Sequence, residues 1–226
     1  MLNSKNALLL IGSPKKNNST SASLGSYLIG KLELEGFTTE KIKIASSLKT
    51  KSGIEKLLQA VDNSEIIILS SPTYVDSLPA GAIKSFELIA EHRDKRKLIN
   101  KQKIMFIANC GFPQALHNDV ALDICKCFAS HAGFICMGSL ALGAGGAIRG
   151  RRLEDLGGKV RNIIKALDIT AAALNNDTSI PLEAVELMKK PVIPPRIYTV
   201  FASLILKKRA KKFGAKKYLY SKPYEV

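Results

Sequence analysis

The chain has 226 residues, of which 46% are hydrophobic, with 34 Lys or Arg against 19 Asp or Glu. That composition is ordinary for a globular protein, excludes a disordered chain and fits one large domain, or a domain with an appendage. The formal charge of +15 is uneven: residues 189–226 hold eleven basic residues and one acid, leaving the first 188 residues at +5.

Residues 7–11, Ala-Leu-Leu-Leu-Ile, form a continuous apolar run that stops at Gly-Ser-Pro, the pattern of a strand buried on both faces. The run is too short for a secretory leader, and no cleavage signal follows it. Leu24, Leu28 and Leu32 recur at helical spacing, which predicts a helix over 23–35 closed at Gly36. Ile42 and Ile44 alternate with charges over 40–45, as in an edge strand. Ile54, Leu57, Leu58 and Val61 share one face of a short helix over 54–61. Residues 65–69 read as a third strand, and Pro79 opens a helix over 80–92. A fourth strand is expected over 103–108, a fourth helix over 120–132, a fifth strand over 134–142 and a closing helix over 153–174.

This strict strand–helix alternation predicts an α/β domain, a parallel sheet covered by helices on both faces. The compact domain is expected to span residues 1–175 and to end near Asn175. Residues 176–226 then form a helical, basic C-terminal extension, with a proline hinge at Pro191, Pro194 and Pro195. No stretch approaches the roughly 18 apolar residues of a membrane span, so a cytoplasmic protein is expected. Cys110, Cys125, Cys127 and Cys136 have no zinc or iron–sulfur spacing and read as buried or free thiols, with no metal site.

Ligands of open parallel sheets bind beyond the carboxyl ends of the strands, where the helix layer switches faces. Three loops matter there. The first, residues 12–21, is rich in hydroxyls, amides and lysines and leads into a helix N-terminus, where free N–H groups and the helix dipole suit an anion. It has neither of the glycine-rich nucleotide spacings, and plain capping by Ser19 or Ser21 is the alternative. The second, residues 71–79, puts Tyr74 and Val75 between stiffening prolines, either as the wall of a flat ring or as a rigid connection. In the third, residues 109–113, Gly111 permits close approach of a ligand and Phe112 either covers it or packs in the core.

At these residues the chain resembles the flavodoxin-like NAD(P)H-dependent FMN reductase family, over roughly residues 5–175. The marks are the Gly-Ser-Pro-Lys start with Asn18-Ser19-Thr20-Ser21, the Pro72-Thr73-Tyr74 stretch with Pro79 and Lys84, and Asn109-Cys110-Gly111-Phe112. The resemblance implies a flavodoxin-like three-layer α/β/α fold with a five-stranded sheet of order 2-1-3-4-5 and FMN at its switch point. By position, Ser13, Lys15, Asn18, Ser19, Thr20 and Ser21 would surround the phosphate. Pro72, Thr73, Tyr74 and Val75 would flank the ribityl chain and isoalloxazine, with Asn109, Cys110, Gly111 and Phe112 across the ring. FMN has about 31 non-hydrogen atoms, so at about 0.3 kcal/mol each its dissociation constant falls somewhat below micromolar.

The implied activity takes hydride from NAD(P)H and passes electrons to a small acceptor such as a quinone, a nitro or azo compound, or a flavin. The redox chemistry would be the flavin's own, and no side chain is assigned a catalytic acid or base role. A homodimer is expected. Flavodoxins that only carry electrons are typically acidic and end at the fifth helix, so this longer, basic chain reads as a reductase first and as an electron carrier second. A membrane-surface or interaction protein on the same fold is the third reading.

The run 143–147, Gly-Ala-Gly-Gly-Ala, is either a mobile lid or a turn that needs positive φ. The tail mixes Ile197, Val200, Phe201, Leu204 and Leu206 with Lys207, Lys208, Arg209, Lys211 and Lys212, which reads as an amphipathic basic helix. It would pack on its own domain or a second copy, or make weak contact with an anionic membrane. No recognition motif accompanies the charge, so nucleic acid is not expected as a partner.

Overall fold

The apolar runs of the strands divide between two cores by simple alternation. Leu9, Ile11, Ile66, Ile68, Met105 and Ile107 face one side of the sheet, and Leu8, Leu10, Ile67, Leu69, Ile104 and Phe106 face the other. The computed structural model describes residues 5–15, 18–96 and 102–222, the side chains of residues 195, 196 and 201 excepted. Its five parallel strands are β1 (Asn6–Ile11), β2 (Thr38–Lys43), β3 (Ile66–Pro72), β4 (Lys103–Asn109) and β5 (Ile135–Leu142), in the order 2-1-3-4-5. This is a flavodoxin-like sheet.

Helix α1 (Thr20–Leu34) covers the first face with Leu24, Leu28 and Leu32, joined by α6 (Arg161–Asn175). The short α2 (Ile44–Ser47), α3 (Lys51–Asp62), α4 (Ala80–Lys95) and α5 (Asp119–His131) cover the second face. Gly36 closes α1 at φ 87°, with the Phe37 N–H bonded back to the Leu32 carbonyl at 3.0 Å.

Several boundaries differ from expectation for local reasons. The second strand stops at Lys43, and Ile44 reaches the core as the first residue of α2. The closing helix begins at Arg161 rather than near 153, because Gly157 adopts φ 60°, ψ −150°, a conformation open essentially to glycine. In β5 the register shifts opposite Ile104 and Met105, and Ile180 then lies over Gly138 and donates its N–H to the Met137 carbonyl at 2.8 Å.

The first compact unit runs to Val192, past the boundary expected near Asn175. It includes α7 (Leu182–Lys189), whose Ala184, Leu187 and Met188 are buried against the first core. Residues 193–226 form a second unit: α8 (Pro195–Lys212), a turn at Gly214 and a short 3-10 turn, Lys216–Tyr218. Helix α8 differs from the expected amphipathic helix. Its apolar and basic residues separate along the axis, 197–206 then 207–212, rather than around it. Among the described residues no helix is long and apolar enough to cross a membrane.

Candidate functional site

Strands β1 and β3 are neighbours, yet β1 leads into α1 on one face and β3 leads towards α4 on the other. Their carboxyl ends therefore open a crevice at the switch point. The Gly12 N–H is fixed to the Ser70 carbonyl at 2.9 Å, which starts the first loop flush with β3. Lys16 and Asn17 lie outside the described residues. Ser19 caps α1 by accepting the Ala22 N–H at 3.1 Å. The N–H groups of Ser19, Thr20 and Ser21 have no protein acceptor among the described residues. Three converging amides and the positive end of a fifteen-residue helix thus meet at one spot.

The side chains around those amides divide into two groups. Ser13 is buried and accepts the Lys15 N–H at 3.4 Å, while Lys15 itself is exposed. Asn18 turns at φ 48°, with Gly150 packed directly under its backbone where a Cβ would collide. Thr20 instead donates to the Gly145 carbonyl at 2.7 Å, and Ser21 accepts from Asn109 Nδ2 at 2.8 Å. These last two hydroxyls tie the loop to its neighbours, while the backbone amides of α1 stand beside them.

The second and third loops are joined by two buried asparagines. Asn109, at the end of β4, donates to Ser21 Oγ and to the Ser71 carbonyl at 3.1 Å, and its own carbonyl accepts the Thr73 N–H at 2.9 Å. Asn118 is completely buried. It donates to the carbonyls of Ala115 (2.9 Å) and Leu142 (3.2 Å) and accepts from Thr73 Oγ1 at 2.7 Å, so three loops meet on one side chain. No motif or periodicity marks Asn118 in the sequence; only the fold reveals it.

Held this way, apolar side chains stand in solvent. Residues 74–77 form a tight turn closed by the Tyr74 N–H on the Ser77 carbonyl at 2.7 Å, with Val75 (φ 49°) and Asp76 (φ 59°) both left-handed. Val75 is 97% exposed, Phe112 61% and Tyr74 45%. The Phe112 ring leans on His117 at 4.5 Å between centroids, so that histidine supports the aromatic wall. A Cβ built on Gly111 would meet nothing within 4 Å, which leaves its backbone open to close approach.

The run 143–147 resolves as an anchored turn. Ala144, not a glycine, takes the positive φ of 53° and donates to the Phe112 carbonyl at 2.5 Å, while the Gly145 N–H donates to the Cys110 carbonyl at 2.9 Å. Gly143 is needed for space, since a Cβ there would strike the Pro113 carbonyl. Burial pushes the Cys110 thiol above its ordinary range, opposed by hydrogen bonding to Phe112 and Asn118. It is a neutral lining group, poorly suited to attack.

The arrangement fits a flavin mononucleotide in kind: an amide cradle for a phosphate, an exposed aromatic wall for a ring, and an open backbone at Gly111 between them. A cavity of about 580 Å³, bordered by Asn18, lies beside α1 towards Gly150 and Leu153. Its Lys31 is engaged by Asp168 at 3.0 Å and its Arg152 faces Glu154 at 3.7 Å.

Fold and crevice together define a flavodoxin-like α/β protein whose switch point carries free helix-start amides among the described residues and exposed apolar side chains. The sequence profile of the NADPH-dependent FMN reductases matches residues 6–146, more than half of the chain, and the chain belongs to that family. It is accordingly an NAD(P)H-dependent flavin oxidoreductase, with FMN as cofactor and NAD(P)H as electron donor. No curated protein sequence matches it.

Solved structures carry the same fold at low identity. The Trp repressor binding protein from Bacillus subtilis is 15% identical, covering 72% of this chain and 95% of its own, at TM-score 0.52. An FMN-dependent NADH-azoreductase from Bacillus anthracis str. Ames Ancestor, in complex with FMN, is 12% identical over 76% and 100%, at TM-score 0.53. RosB with a bound 8-demethyl-8-formylriboflavin-5'-phosphate intermediate is 12% identical over 88% and 86%, at TM-score 0.57.

Proposed function

We propose that FMN binds in this crevice with its phosphate on the N–H groups of Ser19, Thr20 and Ser21, bordered by Ser13, Lys15 and Asn18. The observation that carries this reading is the trio of amides at the start of α1 that have no acceptor among the described residues, at the switch point of the sheet. Hydrogen bonds to a charged oxygen contribute about 1.5–3 kcal/mol each, so three of them, with the dipole behind, supply much of the affinity. Pro72, Thr73, Tyr74 and Val75 flank the ribityl chain and ring on one side, and Asn109, Cys110, Gly111 and Phe112 on the other.

Bound FMN supplies the redox chemistry, accepting hydride from a nicotinamide and releasing electrons to an acceptor. The chain's own work is to orient the ring and exclude water. Thr73, fixed between the Asn109 carbonyl and Asn118, sets the height of the second loop. Tyr74, Val75 and Phe112 form the exposed apolar border against which the ring, and beside it a second flat molecule, would rest. We read the acceptor as small and planar: a quinone, a nitro or azo compound, or a free flavin. The enzyme acts in the cytoplasm as a homodimer, with weak contact between the basic tail and anionic membranes.

A visible absorption spectrum of the purified protein, titrated with FMN and then given NADPH or NADH without oxygen, tests the reading. The expected result is a bound-flavin spectrum that bleaches with nicotinamide. Bound flavin that nicotinamide leaves oxidised would make the protein a carrier with another donor. No flavin binding at micromolar protein would remove the proposal.

A further inference from the structure

We propose that helix α8 docks the protein on an anionic lipid surface, with the apolar first part of one helix stripe at the acyl boundary and its basic continuation among the headgroup phosphates. This deepens the membrane contact named above and is independent of the flavin reading. Ile197, Val200 and Leu204 follow one another at spacings of three and four residues, so they lie along one line of the helix. Lys208 and Lys211 continue the same line at the same spacings. The stripe thus passes from apolar to basic on a single face.

The apolar part is solvent-facing: Val200, Leu204 and Leu206 are all more than half exposed, and Ile197 and Ile205 nearly so. Exposed leucine, isoleucine and valine at this density in a soluble helix mark an interaction surface. Residues 197–206 extend about 15 Å, enough to bury a stripe 5–10 Å deep in the headgroup and acyl boundary without crossing it. Lys207, Lys208, Arg209, Lys211 and Lys212 form no ion pair with a carboxylate among the described residues. Their long stems allow the charges to rise to the phosphates while the methylenes stay in contact with lipid.

Charge complementarity selects the partner. Residues 193–226 carry nine basic residues and one acid. A second copy of the same segment would bring like charges together. A nucleic acid would satisfy the lysines but leave the apolar half of the stripe in water. An anionic lipid surface satisfies both halves at once, and each basic residue near it raises partitioning about fivefold.

The test is co-sedimentation of the full-length holoprotein with vesicles of phosphatidylcholine alone and with about one quarter phosphatidylglycerol. Binding to the anionic vesicles is expected to exceed binding to neutral ones at least about tenfold and to be lost in about 0.5 M salt. The triple variant Lys208→Glu/Lys211→Glu/Lys212→Glu should lose that preference. Val200→Ser/Leu204→Ser should weaken binding about tenfold and keep its salt dependence.

Equal pelleting with the two vesicle types, or unchanged pelleting of the triple variant, would overturn the proposal. So would a loss of dimer in the tail variants, read by sedimentation velocity, with no vesicle binding by the parent protein; that result assigns the face to a second copy. Flavin absorbance of the same samples separates the two readings, because vesicle binding can fail while bound flavin is retained.

Discussion

The two ends of the sheet bury polar side chains for opposite purposes. At the amino-terminal edge, Arg93 is 3% exposed and donates to the carbonyls of Ala132 (2.6 Å) and Gly133 (3.3 Å) and to Gln102, with its guanidinium over the Phe134 ring. Gln102 in turn donates to Val61 and Ser64, at 2.7 and 2.6 Å. His92 Nε2 and Arg96 both meet Asp62 Oδ2, leaving Asp62 Oδ1 as a buried atom without a partner. Burial lowers the Arg93 pKa and the Asp62 charge opposes that shift; the group remains a cation. At the carboxyl edge, Asn109 and Asn118 are also buried, but the network they make ends in three amides unanswered among the described residues and in exposed aromatic side chains. One edge closes the fold on itself, and the other holds its donors ready for something else.

That contrast can be broken from either side. The largest effect is expected at the closed edge. Arg93→Met strands the Gln102 oxygen and two carbonyls, so it should destabilise by about 3–5 kcal/mol, read as a melting point lower by about 10 °C, while FMN affinity of the folded fraction is unchanged. At the open edge the order reverses. Ser19→Asp preserves the cap and suits the helix dipole, so apoprotein stability should hold or rise slightly. Its carboxylate faces the phosphate, and FMN affinity should fall roughly a hundredfold, about 2.7 kcal/mol, with riboflavin affinity spared.

Asn118→Leu should affect both quantities, because it unties Thr73, Ala115 and Leu142 together. About 2 kcal/mol of stability and about tenfold in FMN affinity are expected, measured by chemical denaturation and flavin titration. Replacing Val75 and Asp76 by Asn and Gly relieves a β-branched residue at positive φ and should stabilise the apoprotein by about 1 kcal/mol.

The smallest effect concerns thiols. Burial raises the pKa of Cys110 and Cys125 above the unfolded value, so the folded state keeps protons the unfolded state loses. Stability from these groups is full below that value and declines as pH rises beyond about 9, which denaturation at pH 8 and 10 would register. Alkylation at neutral pH should reach the exposed Cys127 and Cys136 well before either.

The sheet was legible because each central strand is an apolar run ended by Gly, Pro or Asn, and helices such as α1 and α3 repeat apolar residues at three and four residues. Legibility failed where one residue's backbone overrides the pattern. The apolar spacing of Leu153, Leu156 and Val160 suggests helix, but Gly157 turns the chain away before Arg161. The apolar and basic tail residues suggested an amphipathic helix, yet their spacing places both on one stripe.

The loops of the candidate site were recognisable by composition and by their place after β1, β3 and β4. Their internal division of labour was not. Thr20 and Ser21 look like phosphate hydroxyls in the sequence, and only tertiary contacts show them engaged by Gly145 and Asn109. Asn118 lies just beyond the third loop's motif, six residues after Phe112, and becomes central only when the ends of three strands converge.

The most direct test of the central claim is a paired titration of the parent protein and Ser19→Asp with FMN and with riboflavin, followed by flavin fluorescence. The parent should bind FMN far more tightly than riboflavin, and the substitution should remove most of this difference while leaving riboflavin binding intact. Equal loss for both ligands, or unchanged FMN affinity in the variant, would contradict a phosphate seated on the amides of α1.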